Sequence, residues 1–443
     1  MKTKNRLFKA IVAIFFMGTL GANAATWEPP LTIQNTNVAS TQSKISCDHM
    51  GNAAAAWIEG GNLYVSYRSS GGLWEAPSNP GFAKGDILDI CTDQAGNVTV
   101  VAIAHSGAGD TVTPVYRAYG SGTWVVTPNF GAGGNANATA SISVSCISSG
   151  TQAIAVWSNS SSNTVSSSYR SGATWGAVLT VPGIASITSS STPIVQMRPT
   201  GNADLTLITT VAGAQDIYIS STTLPGGTWS AVTSTTRLNF TATPEEFDFA
   251  MNSLGNGVVL ATSTVSPVVN SAFLTGGSWG APVTVDTHTS KQGKVGISDS
   301  NVVTGAWFEV TGPSTEIYAA TAPFSGPWTT FPSPIDSGTP NYLNLSVSGN
   351  GDTLLGWTHN GQIYALVGEG TAFEPSTTMI DSNATLSDAC IGSDGTGWTI
   401  WTGGVVGSEF VKSSKTISSV NPVTSLLQAL GKKRLIYQKG LYP

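Results

Sequence analysis

The sequence predicts an all-β chain folded as a β-propeller of eight four-stranded blades, closed by its own N-terminal strand. The first observation behind this is a repeated tryptophan. SGGLW (70–74), GSGTW (120–124), SGATW (171–175), PGGTW (225–229), TGGSW (275–279) and SGPW (325–328) recur with steps between tryptophans of 50, 51, 54, 50 and 49 residues. Such a period suits a blade of roughly 40–50 residues and is too long for a solenoid of single hairpins. The second observation is composition: only 10% of the residues are charged, so helix formers such as Lys and Glu are scarce and strands and turns must carry the fold. The third is a Gly/Asn turn upstream of each tryptophan, as in CDHMGNAAAAW (47–57), CTDQAGNVTVV (91–101) and NSLGNGVVLA (252–261). Gly and Asn accept the left-handed backbone that a tight strand-to-strand turn demands.

The elements follow in order. Residues 1–25 read as a signal peptide: Lys2, Lys4, Arg6 and Lys9 precede the apolar run Ala10–Leu20, and Ala22-Asn23-Ala24 gives a small-residue cleavage pattern. The propeller is expected over 26–415. Inner strands start near Lys44, Asp86, Ser141, Pro193, Glu246, Lys294, Tyr342 and Leu386, and each unit continues through the turn, strand b, an alternating strand c such as LYVSYRS (63–69), and strand d opening at the tryptophan. The seventh unit has Phe373 in place of that tryptophan. The eighth lacks a strand d of its own, but TWEPPLTI (26–33) matches GLWEAPSN (72–79) and supplies one. Seven blades are the alternative, if one weak unit is a lateral insertion. Residues 416–443 leave the period and form a C-terminal tail.

Charge narrows the partners. Of 19 basic residues four lie in the leader and six after Glu409, which leaves nine in the body against 25 acidic ones. A body of that sign repels nucleic acid and anionic membrane, so neither is expected as a partner. No segment after the leader is long and apolar enough to span a membrane.

The residues with chemical potential are scattered. His49, His105, His288 and His359 lie in different units without a paired spacing, so no metal site and no histidine base is expected. Asp93, Asp352 and Asp394 sit in turns, without the spaced acidic loop of a calcium site, and read as turn caps. Cys47, Cys91, Cys146 and Cys390 all lie in strand a of units that are consecutive around a closed ring. Two interblade disulfides are possible in an exported chain, but equivalent positions hold Met251 and Val347, and the favoured reading is a small buried hydrophobe.

The Gly-x-Thr-Trp turns of YRSSGGLW (67–74), YGSGTW (119–124), YRSGATW (169–175) and LPGGTW (224–229) resemble degenerate Asp-box repeats of sialidase-like, secreted bacterial propellers, with the aspartate lost. The resemblance runs through the whole body and implies a propeller. It also raises a glycan-acting site built on three arginines with a tyrosine–glutamate pair. The body offers only Arg68, Arg117, Arg170, Arg198 and Arg237, and the first three repeat at one position of strand c, as structural residues do. No catalytic residue is assigned.

The candidate ligand-binding residues are the tryptophans ending strand b: Trp57, Trp157, Trp307, Trp357 and Trp401. If they ring the face carrying the b–c loops, they offer flat surfaces to sugars or peptides. The expectation is a secreted or periplasmic, non-enzymatic binding or adhesion propeller that recognises carbohydrate or protein on one face, without cofactor. Its alternatives are a glycan-acting hydrolase with carboxylates at the central channel, or a structural surface protein.

Overall fold

The computed structural model describes residues 25–34, 38–81, 85–104, 110–128, 130, 141–147, 151–159, 163–184, 192–222, 227–370, 372–373, 377–405 and 408–417. The expected leader, most of the tail and His105 lie outside them.

Eight antiparallel sheets follow one another along the chain. Their inner, second and third strands are Ser40–Cys47, Ala53–Glu59 and Asn62–Arg68 in blade 1; Gly85–Thr92, Val98–Ala104 and Thr111–Arg117 in blade 2; and Ile142–Cys146, Gln152–Asn159 and Thr164–Ser171 in blade 3. Blade 4 has Ile194–Met197, Ala203–Val211 and Ala214–Thr222, and blade 5 has Glu246–Met251, Gly257–Ser263 and Val268–Thr275. Blades 6 and 7 have Ser290–Ile297, Val302–Thr311, Ser314–Pro323 and Asn341–Val347, Asp352–His359, Gln362–Glu369. Blade 8 has Ala384–Ile391, Gly397–Val405 and Ser408–Ile417.

The fourth strand is the weakest, because it lies at the exposed rim. In blade 5 it is broken into Ser278–Trp279 and Val283–Asp286, both paired to strand c. In blades 1 and 4 it shrinks to the single bridges Val65↔Ser78 and Tyr218↔Arg237. In blade 8 it comes from the N-terminus: Thr26 pairs with Ile417, Trp27 with Thr416, Leu31 with Ser413 and Thr32 with Lys412. The ring has eight blades, and the N-terminal strand closes it.

Burial follows strand order. Strand b is covered on both faces, as in Ala53–Glu59 and Val98–Ala104, so it reads as a continuous apolar run. The core is divided into one apolar cluster per blade junction, for example Ile58, Leu63 and Val65 of blade 1 against Leu88, Val98 and Val100 of blade 2. The turn glycine is needed where φ is positive, as at Gly51 (+77°), whose missing side chain leaves room for Asp394 of blade 8.

The inner strands pose a particular problem, because their second edge faces the central channel and carries unpaired amides. Side chains of the preceding blade fill this role. Asp388 accepts from Ile45 N–H (3.1 Å), Asp89 from Val144 (2.8 Å), Ser143 from Val195 (3.3 Å) and Asp248 from Val295 (3.0 Å). One turn of the pleat further on, Ser145 accepts from Met197 and Ser346 from Ile391.

The cysteines correct the favoured sequence reading. Cys47 is bonded to Cys390 and Cys91 to Cys146, with Cα–Cα distances of 5.8 and 5.6 Å, and no cysteine among the described residues is free. Each bond joins neighbouring inner strands, at the 8/1 and 2/3 junctions. The partners are staggered by one residue relative to their turn glycines, which an alignment of single units does not show.

Candidate functional site

The five strand-b tryptophans do not form the exposed aromatic ring expected of them. Trp57, Trp307, Trp357 and Trp401 have no accessible surface and Trp157 is 7% exposed. They are wedged between blades because strand b is covered on both faces. Trp57 and Trp357 stack on Tyr64 and Tyr364, and Trp157 on Phe130. A buried ring offers no platform to a sugar, so these residues are corrected from ligand contacts to scaffold.

What the buried indoles do is fix carboxylates. At three successive junctions, the indole Nε1–H of strand b donates to an aspartate at the end of the preceding blade's strand d. Trp307 donates to Asp286 (3.2 Å), Trp357 to Asp336 (2.5 Å) and Trp401 to Asp381 (2.9 Å). The sequence signal was present but unread: each aspartate follows an apolar residue, as Val285-Asp286, Ile335-Asp336 and Ile380-Asp381, at the repeat spacing. At the 8/1 junction the corresponding pair is Ile33-Gln34, and Trp57 donates instead to Glu59 of its own strand (3.1 Å).

Each fixed aspartate meets a different companion. At 5/6, Asp286 is 2.7 Å from His288 Nδ1, and Glu309 is 3.6 Å from the same nitrogen. At 6/7, Asp336 is 2.9 Å from His359 Nδ1. At 7/8, Asp381 accepts from Lys412 Nζ at 2.9 Å. Two of the histidines read as isolated are therefore carboxylate-bound, and His49 is exposed.

Electrostatics differ accordingly. Asp286 hydrogen-bonds His288 and raises its pKa. Burial pushes Glu309 up, opposed by His288. Burial would raise Asp381 as well, but hydrogen bonds from Lys412 and Trp401 outweigh it and hold the carboxyl below its ordinary value. Part-buried tyrosines complete the groove: Tyr318 donates to Glu316 (3.4 Å) and Tyr364 to Gln362 (2.6 Å).

The channel is the second polar region. Asp388 beside it, with Asp89 and Asp248, raises Lys44 against the effect of burial. Burial pushes Asp89 up to about 6, partly offset by Lys44. Both line the channel and keep some accessible surface. Asp89, Asp248 and Asp388 are the carboxylates that hold the neighbouring inner strands.

The arginines are structural, as their repeat position implied. Arg68 lies over Trp398, Arg117 over Tyr67 and Arg170 over Tyr116, each reaching an aromatic ring of the preceding blade. Of the turn aspartates, Asp93 caps its turn by accepting from Asn97 (2.9 Å), and Asp394 from Thr396 (2.9 Å).

No protein-family model and no curated protein matches this sequence. Solved structures do resemble the fold. A Dos1 propeller aligns over 89% of this chain and 95% of its own at 9% identity, with a TM-score of 0.52. An ulvan lyase bound to -[GlcA(1-4)Rha3S]- aligns over 90% of this chain and 98% of its own, at 11% identity and TM-score 0.48. The fucose-specific lectin of Aleuria aurantia covers 66% of this chain and 94% of its own, at 13% identity and TM-score 0.41. At such identities the likeness extends to the fold alone: this chain is a β-propeller. No helix among the described residues is long and apolar enough to cross a membrane.

Proposed function

We propose that this protein is a secreted, non-enzymatic binding propeller whose b–c face, along blades 5 to 8, takes neutral or amino sugars of a glycan. The observation that carries the reading is the repetition of an indole-fixed, partly accessible carboxylate at three consecutive junctions, Asp286, Asp336 and Asp381. A carboxylate accepts charge-assisted hydrogen bonds from adjacent sugar hydroxyls. Because the indole already sets its orientation, little further ordering is needed on binding. Tyr318 and Tyr364 add part-exposed aromatic surface in the same grooves. The carboxylates repel acidic sugars, and three sites on one rigid ring combine weak contacts through effective concentration. Two disulfides suit an oxidising compartment and support export by the leader.

A glycan array followed by surface plasmon resonance tests this. Neutral or amino-sugar glycans should bind, and the Asp336→Ala, Asp381→Ala double variant should bind at least about tenfold more weakly while keeping its β-sheet circular dichroism. Absence of binding to any glycan at millimolar concentration would overturn the reading.

One observation favours a second reading, a glycan hydrolase acting at the channel: a carboxyl near 6, such as Asp89, suits a general acid. Turnover of glycoside substrates that disappears in Asp89→Asn would establish it in place of the first.

A further inference from the structure

The 5/6 junction balances its charges differently from its neighbours. At 6/7 the one indole-fixed carboxylate, Asp336, faces His359, and at 7/8 Asp381 faces Lys412. Two residues beyond the strand-b tryptophan, blade 7 has His359 but blade 6 has Glu309. A second carboxylate is thereby brought against Asp286. Glu316 lies directly across from Glu309 in the pairing of strands b and c and adds negative charge. Among the groups acting on Glu309, His288 alone opposes burial and the neighbouring carboxylates, and its side chain is 61% exposed.

Glu309 itself is the anomaly. Its side chain is only 9% exposed, and among the described residues no hydrogen-bond donor reaches it; its ion-pair contact, His288 Nδ1, is 3.6 Å away. A carboxylate so enclosed and without a donor is compensated by a nearby cation or a proton.

We propose that Asp286, His288 and Glu309 form a binding site for a divalent transition-metal ion, Zn²⁺ or Mn²⁺. One ligand atom from each residue lies within 4.8 Å of the others. A tetrahedral ion with bonds of about 2.0–2.1 Å needs its ligand atoms roughly 3.3 Å apart, so small side-chain rotations suffice. One imidazole nitrogen with two carboxylates is a mixed donor set that suits Zn²⁺ or Mn²⁺ and differs from the all-oxygen shell of Ca²⁺. The supporting groups are in place. Trp307 donates to Oδ2 of Asp286, and Oδ1, which also accepts from Thr287 N–H, is directed at His288; such outer partners orient a ligand. Glu309 is held by strand pairing on both sides, to Ser290 and Glu316. Exposed His288 gives the entry path, and solvent fills the remaining positions.

The site shares Asp286 with the proposed glycan groove, and its test reads the metal directly, without glycan. Protein stripped with chelator and dialysed is titrated with ZnCl₂, MnCl₂ and CaCl₂ by calorimetry, with bound metal measured by mass spectrometry. One equivalent of Zn²⁺ or Mn²⁺ should bind and raise the melting temperature. Glu309→Gln, which keeps the side-chain shape, and His288→Ala, at an exposed position, should each weaken binding at least about tenfold and abolish the thermal shift. Three results would overturn the assignment: no binding up to about millimolar metal, undiminished binding in both variants, or a preference for Ca²⁺.

Discussion

The junctions of this ring are built in two ways, and they divide it into two arcs. From blade 8 through blade 3, neighbours are joined by two disulfides and by an arginine of each strand c laid over an aromatic ring of the blade before it. From blade 5 through blade 8, the joints described above are hydrogen bonds from indoles to aspartates, with His288, His359 or Lys412 as companions. The first arc's disulfides and cation–π contacts are themselves indifferent to pH near neutrality, and its titrating group is Asp89 at the channel edge. The second places polar, partly accessible groups in the grooves between blades. The same strand-b tryptophan serves both: Trp157 stacks on Phe130, whereas Trp357 donates to Asp336. What the previous blade puts at the end of its strand d therefore decides whether a groove is sealed or chemically equipped.

The largest test of this division removes the covalent part. Replacing Cys47 and Cys390 by Ser opens a link between residues 343 apart in sequence, and replacing Cys91 and Cys146 one between residues 55 apart. The chain-entropy model sets ceilings of about 6 and 4 kcal/mol for the two losses. Denaturant unfolding should rank the 8/1 variant as the weaker protein, and alkylation of denatured, unreduced wild type should modify no thiol among these four. Equal stability of both variants and wild type would remove the distinction between the arcs.

A smaller effect is expected from deleting residues 26–34. This strips blade 8 of its outer strand, buried Ile33 and the Glu28 partner of Arg68, 2.8 Å away. About 3–5 kcal/mol should be lost, from apolar burial and from leaving a largely buried guanidinium unpaired. An unchanged thermal midpoint would show that the closing strand is dispensable.

The smallest effect sharpens the comparison by pH. Asp89 binds its proton more tightly when folded, at about 6, than at its ordinary 3.8. Its contribution is fully present below the lower value and is lost as pH rises through the higher one. Asp89→Asn, which retains an oxygen for Val144 N–H, should match wild type near pH 3.5 and exceed it by about 1–3 kcal/mol above pH 7. Thermal melts of both proteins across that range check the sign; a variant that gains nothing over wild type as pH rises would refute it.

Much of the ring was legible because a propeller repeats its own punctuation. The Gly-Trp turns and Gly/Asn turns marked blade boundaries, and the strand-like match of residues 26–33 to other fourth strands located the closure. The arginine positions also read correctly, since a residue recurring at one place in strand c must meet the same neighbour each time. The site was harder, because it lies between blades. Disulfide pairing depends on a one-residue stagger between adjacent inner strands. The burial of Trp57 or Trp401 depends on coverage by two sheets, whereas a repeated aromatic looks the same whether it faces solvent or a neighbour. Asp286, Asp336 and Asp381 were visible as a repeat, but their meaning required the donor from the next blade.

The seam between blades 8 and 1 is made of contacts like those at the other junctions: an aspartate accepting an inner-strand amide, an arginine over a ring, and an apolar cluster. Nothing in those contacts distinguishes the chain's own blade 1 from that of another copy. An opened ring would thus expose two complementary ends, able to join head to tail into longer assemblies. Proximity within one chain favours closure, and the Cys47–Cys390 bond makes that choice covalent. It acts as a latch against polymerisation as much as a brace for the fold.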